Sequence, residues 1–212
     1  MRPRTVLLPL LLALLAACAG SPSQDPGQAS ALTYADPAAA PGEWKLVANP
    51  ASTSTRLLLD LVGPTDGTRY RGVGFTLQFD PARLKPVRFT GADGRPTCYM
   101  VDKRILMDRD ETGDVPAVLQ AGGVLDGKLM VGIFQTMDDS LFAGYWNTPT
   151  PARACGQPVL QVAFDLDSAL HAQQGAAPLT VLKARVIADR IDAYDKRRPL
   201  DVVLKVGTLT LQ

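Results

Sequence analysis

Residues 71–81 read RGVGFTLQFDP, and their spacing decides the fold. Val73, Phe75, Leu77 and Phe79 fall on one parity and Thr76 and Gln78 on the other, the period-2 mark of a strand with one buried face. Asp80 and Pro81 then turn the chain. Leu84, Val87 and Phe89 suggest the next strand. Pro86 inside it predicts an edge position, because proline has no N–H to give to a ladder.

The same alternation recurs downstream. In 118–134, VLQAGGVLDGKLMVGIF, Asp126 and Gly127 stand between two apolar runs and predict a two-residue hairpin turn. In 158–167, PVLQVAFDLD, the residues Leu160, Val162, Phe164 and Leu166 share the inward parity. The closing stretch 201–212, DVVLKVGTLTLQ, changes parity partway: Val202, Leu204 and Val206 on one side, Leu209 and Leu211 on the other. A bulge at Gly207 would bring both sets to the core. Helical spacing is scarce; residues 167–174 offer one or two turns, capped by Asp167 or Ser168 and stopped by Gly175. Many short strands separated by Gly, Pro and Asp turns predict an all-β antiparallel sandwich of about nine strands with at most a short helix.

The N-terminus has a different character. Arg2 and Arg4 precede an apolar run at 6–17 that is too short to span a bilayer as a helix, the pattern of an export signal. Leu15, Ala16, Ala17 and Cys18 resemble the lipobox of bacterial lipoproteins. The resemblance implies cleavage before Cys18, a diacylglycerol on its thiol, and an acyl group such as palmitate on the freed amine. Two or more chains at about 0.8 kcal/mol per buried methylene would anchor the protein permanently. Ala19 stands where inner-membrane retention favours Asp, so the family's rule implies the outer membrane, on its periplasmic face or at the cell surface. Residues 18–43, rich in Ala, Pro, Gly and Ser, read as a lipidated cysteine followed by a disordered tether with a reach of about 25 to 30 Å. The folded domain is placed at 44–212.

The chain has 212 residues with 22 Lys and Arg against 21 Asp and Glu. Removing Arg2 and Arg4 with the signal leaves a mature formal charge of about −1, which gives no field to attract nucleic acid. Besides Cys18 there are two cysteines, Cys98 and Cys155. An exported chain matures where thiols oxidise, so these two are expected to pair, closing a loop worth about 4 kcal/mol in the chain-entropy view. Two separate buried thiols are the alternative.

Several segments together resemble cohesin-like domains and their carbohydrate-binding relatives: GFTLQFDPARLKPVRF at 74–89, PVLQVAFDLD at 158–167, and LTVLKARVIADRIDAYDK at 179–196 followed by GTLTL at 207–211. The implied fold is a jelly-roll sandwich, with 97–158 as an elaboration. The resemblance implies either a protein partner or a polysaccharide, and it maps no contact residue onto this chain.

Few residues carry chemistry. Asp108, Asp110, Thr112 and Asp114 in DRDETGD are spaced like the first half of a calcium loop, with Gly113 at the turn. Leu119 occupies the position of the closing glutamate, which favours a solvated acidic turn over a calcium site. Tyr145 and Trp146 in FAGYWN suit sugar stacking or a protein hot spot, or else fold back over one end of the sandwich. His171 is the only histidine and is expected on the surface. The charged stretch with Asp189, Asp192 and Asp195 reads as a solvated loop. No nucleophile elbow, phosphate loop or metal-spaced His and Cys cluster occurs. The sequence therefore predicts a non-catalytic, membrane-anchored binding or assembly module for an envelope protein. Polysaccharide binding is the alternative, and an envelope hydrolase a weaker one.

Overall fold

A computed structural model describes residues 27–65, 70–90, 96–101, 118–135, 158–188 and 199–212. In chain order the strands are β1 (Leu32–Ala35), β2 (Trp44–Ala48), β3 (Arg56–Val62), β4 (Tyr70–Gln78), β5 (Lys85–Pro86) and β6 (Phe89–Thr90). There follow β7 (Pro96–Thr97), β8 (Met100–Val101), β9 (Val118–Leu125), β10 (Lys128–Gln135) and β11 (Pro158–Asp165). The chain closes with β12 (Gly175–Ala176), β13 (Thr180–Ala188), β14 (Leu200–Asp201), β15 (Leu204–Lys205) and β16 (Thr208–Leu211). Nine of these have four or more residues, and the others are two-residue edge pieces.

The protein is an all-β sandwich. One sheet runs β15-β2-β3-β11-β5, with β8 also on β11; the other runs β14-β13-β4-β10-β9. All of these pairings are antiparallel except β15 with β2. A small third sheet, β1-β16-β12, closes one end. Trp44, Leu46, Leu57, Leu59, Leu61, Leu160, Val162 and Phe164 from the first sheet share one core with Val73, Phe75, Leu77, Leu129, Val131, Ile133, Ala184 and Val186 from the second. The Phe79 and Phe164 rings meet with centroids 5.3 Å apart. Both alternating runs thus bury the parity the sequence assigns them.

The local signals act as their chemistry requires. Asp126 and Gly127 have φ of 48° and 69°, the two left-handed positions of a tight hairpin turn between β9 and β10. Pro86 lies on the edge strand β5. The helix candidate shrinks to a single 3-10 turn, Ser168–Leu170, because the Asp167 side chain caps it and His171 ends it in the left-handed region at φ 47°.

Two expectations are corrected. The folded domain does not begin at residue 44: Leu32 to Ala35 pair residue by residue with Leu211 to Thr208, and Leu32 is buried. Upstream, Ala29 N–H donates to the Ala172 carbonyl and Gln174 N–H to the Gly27 carbonyl. Four strand residues suffice here because the ladder to β16 satisfies their backbone groups. Nor is there a bulge within one closing strand at Gly207. The chain leaves the first sheet after β15 and enters the small sheet as β16, so the parity change marks a change of sheet.

Cys98 is a free, buried thiol, so the expected bridge to Cys155 is not made in this structure; Cys155 lies outside the described residues. Cys98 Sγ lies 3.5 Å from the Met130 carbonyl oxygen of β10, turned toward the five-stranded sheet, and burial raises its pKa. Next to it, the buried Tyr99 hydroxyl donates to the Gly132 carbonyl at 3.3 Å. A Cβ on Gly122 would lie 2.6 Å from Tyr99 Cε1 and 3.0 Å from Cys98 Sγ. Gly122→Ala is therefore expected to cost about 1.5 kcal/mol, as the ring must move within a filled core; a thermal melt indistinguishable from wild type would contradict this packing.

Candidate functional site

The two outer faces of the sandwich differ in chemistry. On the six-stranded sheet the outward parity carries Lys45, Arg56, Asp60, Gln161 and Asp165. Asp60, only 6 % exposed, accepts from Asn49 Nδ2 at 2.6 Å and Gln161 Nε2 at 2.8 Å, so its buried carboxylate is satisfied. Arg56 and Asp165, opposite each other in register, form a two-pronged pair at 2.6 and 2.8 Å. With Lys85 and Asp167, 3.0 Å apart, they line a polar basin of about 420 Å³. The Asp167 carboxyl is held below its ordinary range by the Ala169 N–H and then by Lys85. Every charge in the basin is matched by a neighbour. Exposed pairs of this kind contribute little, so Arg56→Ala should change stability by less than about 1 kcal/mol, read from a urea transition.

The five-stranded sheet shows a different outer surface. Register aligns Ala121 of β9, Gly132 of β10, Gly74 of β4 and Arg185 of β13 in one row across the sheet. The adjacent row is Gly123, Met130, Thr76 and Lys183. Three neighbouring strands thus present almost no side chain, and the result is a trough of about 540 Å³ that also reaches Pro199. Glycine in strand interiors marks places where another backbone or a ligand approaches closely. Of the seven large apolar side chains left exposed among the described residues, Leu125 and Met130 take the outward parity of this sheet, whereas Val124, opposite Leu129, and Leu200, opposite Val186, take the inward one. Leu182 is the extra residue of a bulge between Val181 and Lys183. At the far end Arg185 Nε donates to Asp201 at 2.7 Å, which with Lys183 keeps the Asp201 carboxyl below its usual range.

Cys18, Asp108, Asp110, Thr112, Asp114, Tyr145, Trp146 and Cys155 lie outside the described residues. His171 is exposed, as expected. Among the described residues no three His, Cys, Asp or Glu side chains converge to hold a metal, and no helix is long and apolar enough to cross a membrane. The trough was missed because its floor comes from three separate strands. Only the pairing register places Gly74, Ala121 and Gly132 side by side.

Fold and surface together define a two-sheet β-sandwich with one outer face bearing paired charges and the other bearing the trough. Neither family models nor curated proteins match the chain. Solved structures similar to it include a type II cohesin domain from the cellulosome of Acetivibrio cellulolyticus, at 12 % identity over 79 % of this chain and 93 % of that one, TM-score 0.49. The sixth cohesin of that organism's scaffoldin B, solved in complex with a Cel5 dockerin mutant, is 13 % identical over 78 % of this chain and 95 % of that one, TM-score 0.46. A cohesin module of a family 33 glycoside hydrolase from Clostridium perfringens is 9 % identical over 77 % and 96 %, TM-score 0.37. At these values the architecture stands on the strand pairing itself, and the likeness assigns no function.

Proposed function

We propose that the chain is a lipid-anchored envelope protein whose sandwich binds a protein partner on the outer face of the five-stranded sheet. The trough, with Met130 exposed in its lining and Leu125 exposed on the same outward parity, carries the reading, since apolar surface is otherwise covered or scattered singly on a monomer. Binding is favoured over catalysis because the trough holds no paired acid and base among its lining residues. A protein is favoured over a polysaccharide because, among the described residues, the only aromatic ring in that lining, Phe75, is 3 % exposed and points into the core, so it offers no stacking platform. The anchor rests on the order of the N-terminal residues: basic end, short apolar run, Leu15, Ala16, Ala17, Cys18.

A photo-crosslinking side chain tests the face. Placed at Met130 in the native envelope it should yield a discrete protein adduct, whereas the same group at Arg56 on the opposite sheet should not. Adducts of equal yield from both positions, or none from Met130, would overturn the assignment. For the anchor, Cys18→Ser should abolish incorporation of labelled palmitate, and label persisting in that variant would remove the lipid from the account.

A further inference from the structure

The trough is not uniform along its length. It starts at the β9 edge with Ala121 and Gly123 beside Met130, 39 % exposed, and crosses the side-chain-free row at Gly132 and Gly74. It ends on β13 between Lys183 and Arg185, both exposed. Three inter-strand steps make this about 14 Å from the apolar end to the cationic one. Among the described residues the cationic end holds two positive charges and one carboxylate, Asp201, which is engaged by Arg185. The surplus is positive, and it sits beside an apolar floor where a bound partner would displace water and strengthen an ion pair.

We propose that the trough takes an apolar stretch of the partner protein carrying an Asp or Glu side chain, apolar residues over Ala121, Gly132 and Gly74 and the carboxylate between Lys183 and Arg185. This rests on the proposed binding face and adds the chemistry of what occupies it. The floor admits the partner's main chain closely because, in the row across three successive strands, Gly132 and Gly74 carry no side chain and Ala121 only a methyl. The cations fix its direction, since reversing the segment would leave the carboxylate over Met130 and would leave Lys183 without the added negative charge.

The test uses the mature full-length chain and a phage-displayed library of random 12-residue peptides, panned at low salt. Enriched peptides should share an apolar run next to an acidic residue. Gly123→Val should abolish their binding: the new side chain stands in the trough, its Cβ only in ordinary contact with Met130 Cε at 4.0 Å, and β-branching suits a strand, so the melt should be unchanged. Lys183→Glu should weaken binding tenfold or more, and so should raising the salt to 0.5 M. Peptides without an acidic residue, or acidic ones indifferent to Lys183→Glu, would overturn the charge assignment while leaving the face intact if Gly123→Val still blocks them. Peptides unaffected by Gly123→Val, or no enrichment at all, would overturn the face and this inference together.

Discussion

Gly207→Ala should lower stability by about 3 kcal/mol, the upper end of what overpacking costs. A Cβ at this position would lie 1.9 Å from the Ala35 carbonyl oxygen and 2.7 Å from Tyr34 Cζ. Neither neighbour can yield cheaply. Ala35 is held opposite Thr208 in the ladder between β1 and β16, and the Tyr34 ring is fixed by hydrogen bonds at its hydroxyl. Glycine stands here because two backbones and a ring converge on it, not because of a special φ. In a chain of this size the loss corresponds to about 10 °C in melting temperature. Urea unfolding provides the check, and limited proteolysis adds a local one: residues 27–43, stitched to the domain in the wild type, should become cleavable in the variant. A variant that loses under 1 kcal/mol and resists cleavage would mean that β1 is not locked at this point.

That contact also shows where sequence reading succeeds and where it stops. Signals that act within one strand or turn were legible: the alternation of Val73, Phe75 and Leu77, the Asp126 and Gly127 turn, the edge position of Pro86. Each depends on local geometry alone. The strand at Leu32 to Ala35 was not legible, because four residues with one buried leucine amid Ala, Pro and Gly look like a tether until β16 is placed beside them. Gly207 likewise read as a bulge, since a parity change within one strand and a passage between two sheets leave the same trace in one dimension. The binding face follows the same rule. Its apolar members Met130 and Leu125 occupy the outward parity of their strands, but a trough is a property of neighbouring strands. Asp60 was hidden for the opposite reason: in RLLLDLV it looks like a solvated outward residue, and only Asn49 and Gln161 make its burial tolerable.

Tyr34→Phe should cost about 2 kcal/mol at neutral pH, because it strands two backbone groups rather than one. The Tyr34 hydroxyl donates to the Leu46 carbonyl at 3.0 Å and accepts from the Gly207 N–H at 2.6 Å, so one phenol ties β1 to β2 and to the start of β16. Burial pushes its pKa up to about 12, against the opposing pull of the Gly207 N–H and with a smaller upward push from Asp36. The folded state therefore holds the proton more tightly than the unfolded chain, where tyrosine titrates near 10. Its contribution is complete below pH 10 and is lost as pH rises through 12. The wild-type advantage over the Phe variant should thus shrink steadily across that window in urea titrations at successive pH values. Tyr99, raised to about 12 mainly by burial, destabilises both proteins alike over the same range and cancels in the comparison. A gap that stays constant to pH 12 would mean that the phenol is not the proton-holding group at this junction. Combined with Gly207→Ala the two losses should fall short of additivity, since both substitutions open the same contact.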